Sequence, residues 1–193
     1  MADKYTSFSE LRQSEVYGRD YRVSLIERPR SPVLVVAPHG GTIEIGTSEL
    51  AWLIAGEDHN LFVFDGLKPL GSNRDLHITS HRFDHPECLA LAARCPVTLG
   101  VHGCRGESHI YIGGLDTELT GLLCSRLNRA GFPASTDGHK YAGRHPENIC
   151  NRGTRGRGAQ LEFTKDFRDP EYRVAIAYTV RQTLEEYVAI LSD

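Results

Sequence analysis

The chain has no apolar stretch approaching the length of a membrane span, no long block of like charge and no cysteine pair at C-x-x-C spacing. The first absence removes a membrane-spanning helix from consideration. The five cysteines, Cys88, Cys95, Cys104, Cys124 and Cys150, are odd in number and scattered, which argues against a zinc ribbon or a thioredoxin-type centre. They read as buried small hydrophobes or free thiols rather than a disulfide framework. Met1-Ala2-Asp3-Lys4-Tyr5 offers no apolar leader, so the expected location is the cytoplasm. Basic excess is lacking too: the net charge is −3, which disfavours a general polyanion binder while leaving room for a local basic patch. Internal repeats, low-complexity tracts and linkers are absent. Gly153–Gly158 is glycine-rich but lacks the Lys-Ser/Thr ending of a phosphate-binding loop.

What is present is an ordinary globular composition, 40% apolar and 24% charged over 193 residues, enough for one domain, residues 1–193, with a sizeable core. Strand-like and helix-like segments alternate along it, which predicts an α/β fold: a mixed β-sheet with helices on both faces. Strands are expected at Tyr21–Glu27, Val33–Ala37, Phe62–Phe64, Leu76–Thr79, Val97–Val101, Ile110–Ile112 and Ala159–Phe163. Helices are expected at Phe8–Ser14, about Gly46 to Ala55, and Pro86–Arg94. Another runs from an Asp116 N-cap to Arg129 and stops at Gly131. The last is capped by Asp169 with Pro170 at its first position, and carries Val174, Ile176, Ala177, Val180, Leu184, Val188 and Leu191.

Three of the strands end in chemistry. Val33-Leu34-Val35-Val36 runs into Pro38-His39-Gly40-Gly41-Thr42-Ile43-Glu44, Val97–Val101 runs into His102-Gly103, and Ala159–Phe163 carries Glu162 within an apolar strand. Open α/β sheets place their ligand crevice beyond the carboxyl ends of such strands. A lone histidine at a strand end is more often a hydrogen-bonded structural residue. Three ends delivering His, Glu and His to one sheet edge shift the balance. Two histidines and a carboxylate form an open zinc site, His39, Glu44 and His102, with a fourth position left for water. A further buried glutamate, Glu162, supplies the general base that a water-activating hydrolase requires. Gly40-Gly41 lets the backbone bend sharply between the first two ligands. The pattern predicts a zinc-dependent amide or peptide hydrolase holding one Zn2+ per chain.

The segments PHGGTIEIGTSEL (38–50), LHITSHRFD (76–84), VHG (101–103), GGLDTEL (113–119), ENICNRG (147–153) and GAQLE (158–162) together resemble the poly-γ-glutamate hydrolases of bacteria and their phages. These are zinc peptidases similar in fold to carboxypeptidase A (phosphorylase/hydrolase-like). The segments come in the family's order and extend over most of the chain. The resemblance implies His39, Glu44 and His102 as zinc ligands and Glu162 as catalytic base. The His-to-Glu spacing is wider than in carboxypeptidases at large, so the likeness is to this branch. A phage-encoded copy would be released by host lysis.

Each residue of poly-γ-glutamate carries a free α-carboxylate, so its cleft requires cations. Arg152, Arg155 and Arg157 lie in the loop before the Glu162 strand, and a guanidinium suits bidentate grip on a carboxylate. The pairs Asn73-Arg74 and Asn151-Arg152 match an amide–guanidinium combination with which carboxypeptidase-like enzymes hold a substrate carboxylate. Substrate contacts are therefore expected from Arg152 foremost, with Asn151, Arg74, Asn73 and Arg157. His77 and His81 are expected beside the ligands, as hydrogen-bond partners or at a developing oxyanion. A second reading turns the same machinery on a smaller carboxylate-bearing amide, an N-acyl amino acid or peptide, which would need a single arginine. A third, a nucleic-acid-associated protein using the Arg/Gly loop, lacks both a broad basic excess and aromatic platforms, so no nucleic acid and no membrane are expected as partners. The sequence carries no signal for oligomeric state.

Overall fold

The computed structural model describes residues 3–192; Met1 and Ala2, part of the N-terminal stretch read above, lie outside them. In chain order the elements are α1 (Phe8–Ser14), β1 (Tyr21–Ile26), β2 (Val33–Gly41), α2 (Thr47–Ala55), β3 (Asn60–Gly66) and α3 (Pro86–Ala92). Then follow β4 (Val97–Gly103), β5 (Ile110–Gly114), α4 (Thr117–Arg129), β6 (Ala134–Ser135), β7 (Ala159–Phe163) and α5 (Pro170–Ser192). The strands form one mixed sheet in the order β1-β3-β2-β4-β7-β5-β6. Its centre, β3-β2-β4-β7, is parallel; β1 and β5 are each antiparallel to their inner neighbour.

Strand period two divides the core. On β2, Val33, Val35 and Ala37 face one layer, where α2, α4 and α5 pack through residues such as Leu50, Leu119, Leu123, Ile176 and Val180. Leu34 and Val36 face the other, with Phe8, Leu11, Phe62, Phe64, Cys88 and Leu91 around α1 and α3. Four of the five cysteines are buried, Cys124 is half-buried, and all are free. Along α5 the buried stripe is Ile176, Ala177, Val180, Thr183, Leu184 and Tyr187. Val174 is exposed instead, because it stands one and two-thirds turns from Val180, and Leu191 is partly exposed in the final turn. No helix of the described residues is long and apolar enough to cross a membrane.

One expected strand is absent. Leu76–Thr79 follows a 3₁₀ turn at Asn73–Leu76 and precedes another at Ser80–Arg82. Leu76 and Ile78 are both fully buried, as in a strand, but β3 already has a neighbour on each edge. The backbone of this segment is satisfied by side chains instead: Thr79 N–H donates to Asp3, and Ile78 C=O accepts from His39.

Asp116 ties α4, α5 and the loop before β7 together. As foreseen it caps α4, accepting from Leu119 N at 3.3 Å. It is 1% exposed and also accepts from the Tyr187 hydroxyl at 2.8 Å and from Arg155 Nη1 at 2.8 Å.

Candidate metal and substrate cleft

Pro38 offers no N–H to the ladder, and the β2–β3 register shifts between Ala37 and Gly40. This irregularity swings His39 out of the sheet pattern at the strand's carboxyl end. Gly41 follows with φ 62°, a left-handed conformation, and a Cβ there would collide with Gly66 O. The turn closes with Glu44 N–H donating to His39 O at 2.9 Å, and Thr47 Oγ1 donates to Glu44 O at 2.8 Å. His102 arrives from β4, and Glu162 from β7 lies directly beside it in the parallel register.

His39 Nδ1 stands 3.2 Å from His102 Nδ1 and 3.4 Å from Glu44 Oε1; His102 Nδ1 is 4.0 Å from Glu44 Oε2. Ligand atoms sharing one tetrahedral zinc at ~2.0–2.1 Å lie about 3.3 Å apart, so these atoms are spaced to share one ion. Burial works against charge on His39, but the Glu44 carboxylate outweighs it and raises His39 above the ordinary imidazole range, so a cation arriving at Nδ1 displaces a proton. His39 Nε2 donates to Ile78 O at 2.8 Å, which leaves Nδ1 facing the other two groups. His102 Nε2 lies 3.5 Å from Ser80 Oγ. Burial, reinforced by the neighbouring His39, pushes His102 down to about 3, so it is neutral. Burial works against charge on Glu44, but His39 and His102 outweigh it and hold the carboxyl down at about 2. Its Oε2 also accepts from Gly103 N at 2.7 Å, which locks the β2 turn to the end of β4. The donor types, two imidazoles and a carboxylate, are those of a hydrolytic zinc site.

Glu162 behaves in the opposite way. Burial, and then the Glu44 carboxylate, push it up to about 8. His77 stacks on His39 with ring centroids 4.1 Å apart, and its nitrogen is close enough to His39 and Glu44 to belong to one metal-sized group. Stacked rings direct their in-plane lone pairs alongside one another rather than to a common point, which sets His77 beside His39 rather than convergent with it. Its Nδ1 is 2.7 Å from Asp3 Oδ1.

These groups lie in a cavity of about 730 Å³. Arg74, Arg105, Lys140 and Arg144 line it, against Glu44 and Glu162 as the acidic lining residues. His81 also lines it and packs at a tilt against His145, ring centroids 4.6 Å apart. The wall holding Lys140 and Arg144 is fixed through its carbonyls. Tyr141 O accepts from Gln160 Nε2 at 3.3 Å, and Ala142 O from Gly114 N at 2.9 Å. Gly143 O and His145 O accept from Asn151 Nδ2 at 2.8 and 2.9 Å.

The structure thus brings His39, Glu44, His102, Glu162, His77, His81 and Arg74 to one cleft. Other expected substrate residues are placed elsewhere. Arg152 is solvent-exposed and does not line the cavity. Arg157 stands 3.8 Å from Asp116, and Arg155 is bound to that same carboxylate. Asn151 is 2% exposed, its amide spent on the loop carbonyls and, through Oδ1, on Leu115 N and Gly158 N. Asn73 is likewise buried, donating to Thr42 O and accepting from Gly71 N at 3.0 Å. Sequence reasoning missed Lys140, Arg144, Arg105, Gln160, Asn148 and Asp3. For Gln160 a signal existed: it lies two residues before Glu162 on a strand, hence on the same face.

A model of the family described as poly-gamma-glutamate hydrolase matches residues 5–189. The chain is 34% identical over 198 residues to the SPbeta prophage-derived protein YoqZ of Bacillus subtilis (strain 168), covering 99% of this chain and 71% of YoqZ. It spans 66% to 82% of the lengths of the three curated relatives from that organism that it matches. Among solved structures, a bacteriophage poly-γ-glutamate hydrolase superposes with TM-score 0.92 at 28% identity, over 98% of this chain and 100% of that one. The zinc-free form of YndL superposes with TM-score 0.88 at 34% identity, over 95% and 98%. A putative carboxypeptidase A from Shewanella denitrificans shares the fold, at TM-score 0.52 and 13% identity over 86% of this chain and 60% of that one.

Proposed function

Because the chain belongs to the poly-γ-glutamate hydrolase family, we propose that it cleaves the γ-glutamyl amide bonds of that polymer, with His39, Glu44 and His102 holding a zinc ion and Glu162 carrying the proton. When bound, zinc polarises the scissile carbonyl and acidifies water. Glu162 takes a proton from the attacking water on its carboxylate and returns it to the leaving nitrogen. Burial and Glu44 hold it up at about 8, which suits it to give a proton to the leaving nitrogen, whereas taking one from water requires the carboxylate form. A cation held at His39, Glu44 and His102 brings that value down towards neutrality.

The observation that carries the substrate reading is the sign of the cleft. Within a chain of net charge −3, four cations line one cavity while its two acidic residues sit at the reaction centre. A single-residue substrate needs one arginine for its carboxylate. Arg74, Arg105, Lys140 and Arg144 distributed around one cleft suit a chain of carboxylates.

The test is zinc content together with cleavage of poly-γ-glutamate followed by size-exclusion chromatography, wild type beside His102→Ala. About one zinc per wild-type chain, little in the variant, and shortening of the polymer by the wild type alone are expected. Turnover of small N-acyl glutamates with the polymer left intact would favour the second reading. Absence of metal from both proteins after zinc is offered would overturn the centre itself. Removing Lys140 and Arg144 as charges (K140A/R144A) should raise KM for the polymer by about 10–100-fold, since each contact at a water-filled cleft is worth roughly 0.7–1.4 kcal/mol. The loss should grow as salt is lowered, where wild-type binding is strongest.

A further inference from the structure

Gln160 and Glu162 project from one face of β7, and both line the cleft. Gln160 is 4% exposed and Asn148, beside it, 6%. The direction of each amide is fixed by its neighbours. Cys150 N–H, which can only donate, reaches Asn148 Oδ1 at 3.2 Å, so the other end of Asn148 is its NH2. That NH2 donates to Gln160 Oε1 at 2.8 Å, which makes the far end of Gln160 a donor as well. Gln160 Nε2 then reaches Glu162 Oε1 at 3.4 Å and Tyr141 O at 3.3 Å. Gly143 closes over the same amide, since a Cβ there would come within 2.7 Å of Gln160 Cδ.

We propose that Gln160 is a positioning residue for Glu162. Its two N–H bonds divide the work: one holds Oε1 of the carboxylate and leaves Oε2 as the free oxygen; the other holds the loop that carries Lys140 and Arg144. One amide therefore sets the distance between the proton carrier and the groups that grip the substrate. The chain Cys150 N–H, Asn148, Gln160 keeps that amide from flipping, a flip that would set an oxygen against the carboxylate. This inference rests on the reading of Glu162 as the proton carrier.

The experiment uses the zinc-loaded protein and γ-glutamyl-p-nitroanilide, whose good leaving group keeps weak variants measurable. Gln160→Met preserves length and removes both donors. It should lower kcat by about 10–100-fold, the usual cost of losing a group that orients a catalytic residue, with zinc content unchanged. In a Glu162→Gln background the same substitution should change the residual rate less than about twofold, because the group it positions is gone. Equal losses in both backgrounds, or a change in KM or melting temperature alone, would overturn the proposal. Gln160→Glu can still accept from Asn148 and carries the same expectation if Gln160→Met does not fold. Wild-type kcat in Glu162→Gln itself would sink the general-base reading, and that result is obtained separately from the Gln160 arm.

Discussion

Replacing Glu162 with glutamine is expected to lower turnover by about 10²–10⁴-fold, the range supplied by a general acid–base group, while the zinc content stays that of the wild type. The glutamine keeps the shape of the side chain and its place beside His102 on the neighbouring strand, but it cannot take a proton from water. The same substitution should stabilise the chelator-treated protein. A carboxyl raised from 4.5 to about 8 on folding binds its proton more tightly in the native state, so its contribution to stability declines as pH rises from about 4.5 through about 8. Glutamine removes that penalty. The gain at pH 8–9 should be about 1–2 kcal/mol, held down because Glu162 borders a cleft open to water, and it should vanish below pH 4.5. Chemical denaturation of both proteins at pH 4 and pH 8.5 checks the sign. An equal difference at the two pH values would show that the carboxylate is not strained by its surroundings.

Asp116→Ala is expected to destabilise the fold by about 3–5 kcal/mol, the cost of breaking a buried pair and leaving a charge without its partner. The carboxylate is enclosed, and three elements meet on it: the first turn of α4, the Tyr187 hydroxyl on α5, and Arg155 in the loop before β7. Removing it strands the Arg155 guanidinium, whose side chain is only 18% exposed, and uncaps a thirteen-residue helix. For a chain of this size the melting temperature should fall by roughly 10 °C. Asp116→Asn, which can still cap α4 and accept from Tyr187, should lose about half as much. A loss below about 1 kcal/mol for the alanine variant would mean that the tie is not structural. None of these atoms touches the cleft, so the folded fraction should keep its kcat.

Glu162 and Asp116 also separate what the sequence shows from what it hides. His39, Glu44, His102 and Glu162 could be placed together because each sits at or near the end of a β-rich run, and parallel strands deliver their carboxyl ends to one edge. The cap at Asp116 and the proline start of α5 were equally legible, since those signals act within four residues. The substrate-side cations were not. Arg152, Arg155 and Arg157 look suited to the cleft in the linear chain, yet Asp116 draws two of them away and the third points to solvent. Lys140 and Arg144 reach the cleft through a loop whose course depends on tertiary hydrogen bonds from Asn151, Gln160 and Gly114, none of which leaves a periodic trace. Leu76–Thr79 illustrates the same limit. Its apolar alternation is real, but its neighbours were already paired and the main chain turned to Asp3 and His39 instead.

The loop over residues 141–145 is held by what every amino acid has in common. Its carbonyl oxygens make the anchoring bonds, so its course does not depend on which side chains stand at 140 and 144. Mutational drift at those two positions can therefore retune which polymer the cleft accepts, while the backbone and the hydrolytic centre opposite remain as they are. The architecture leaves room to change substrate preference without rebuilding the chemistry.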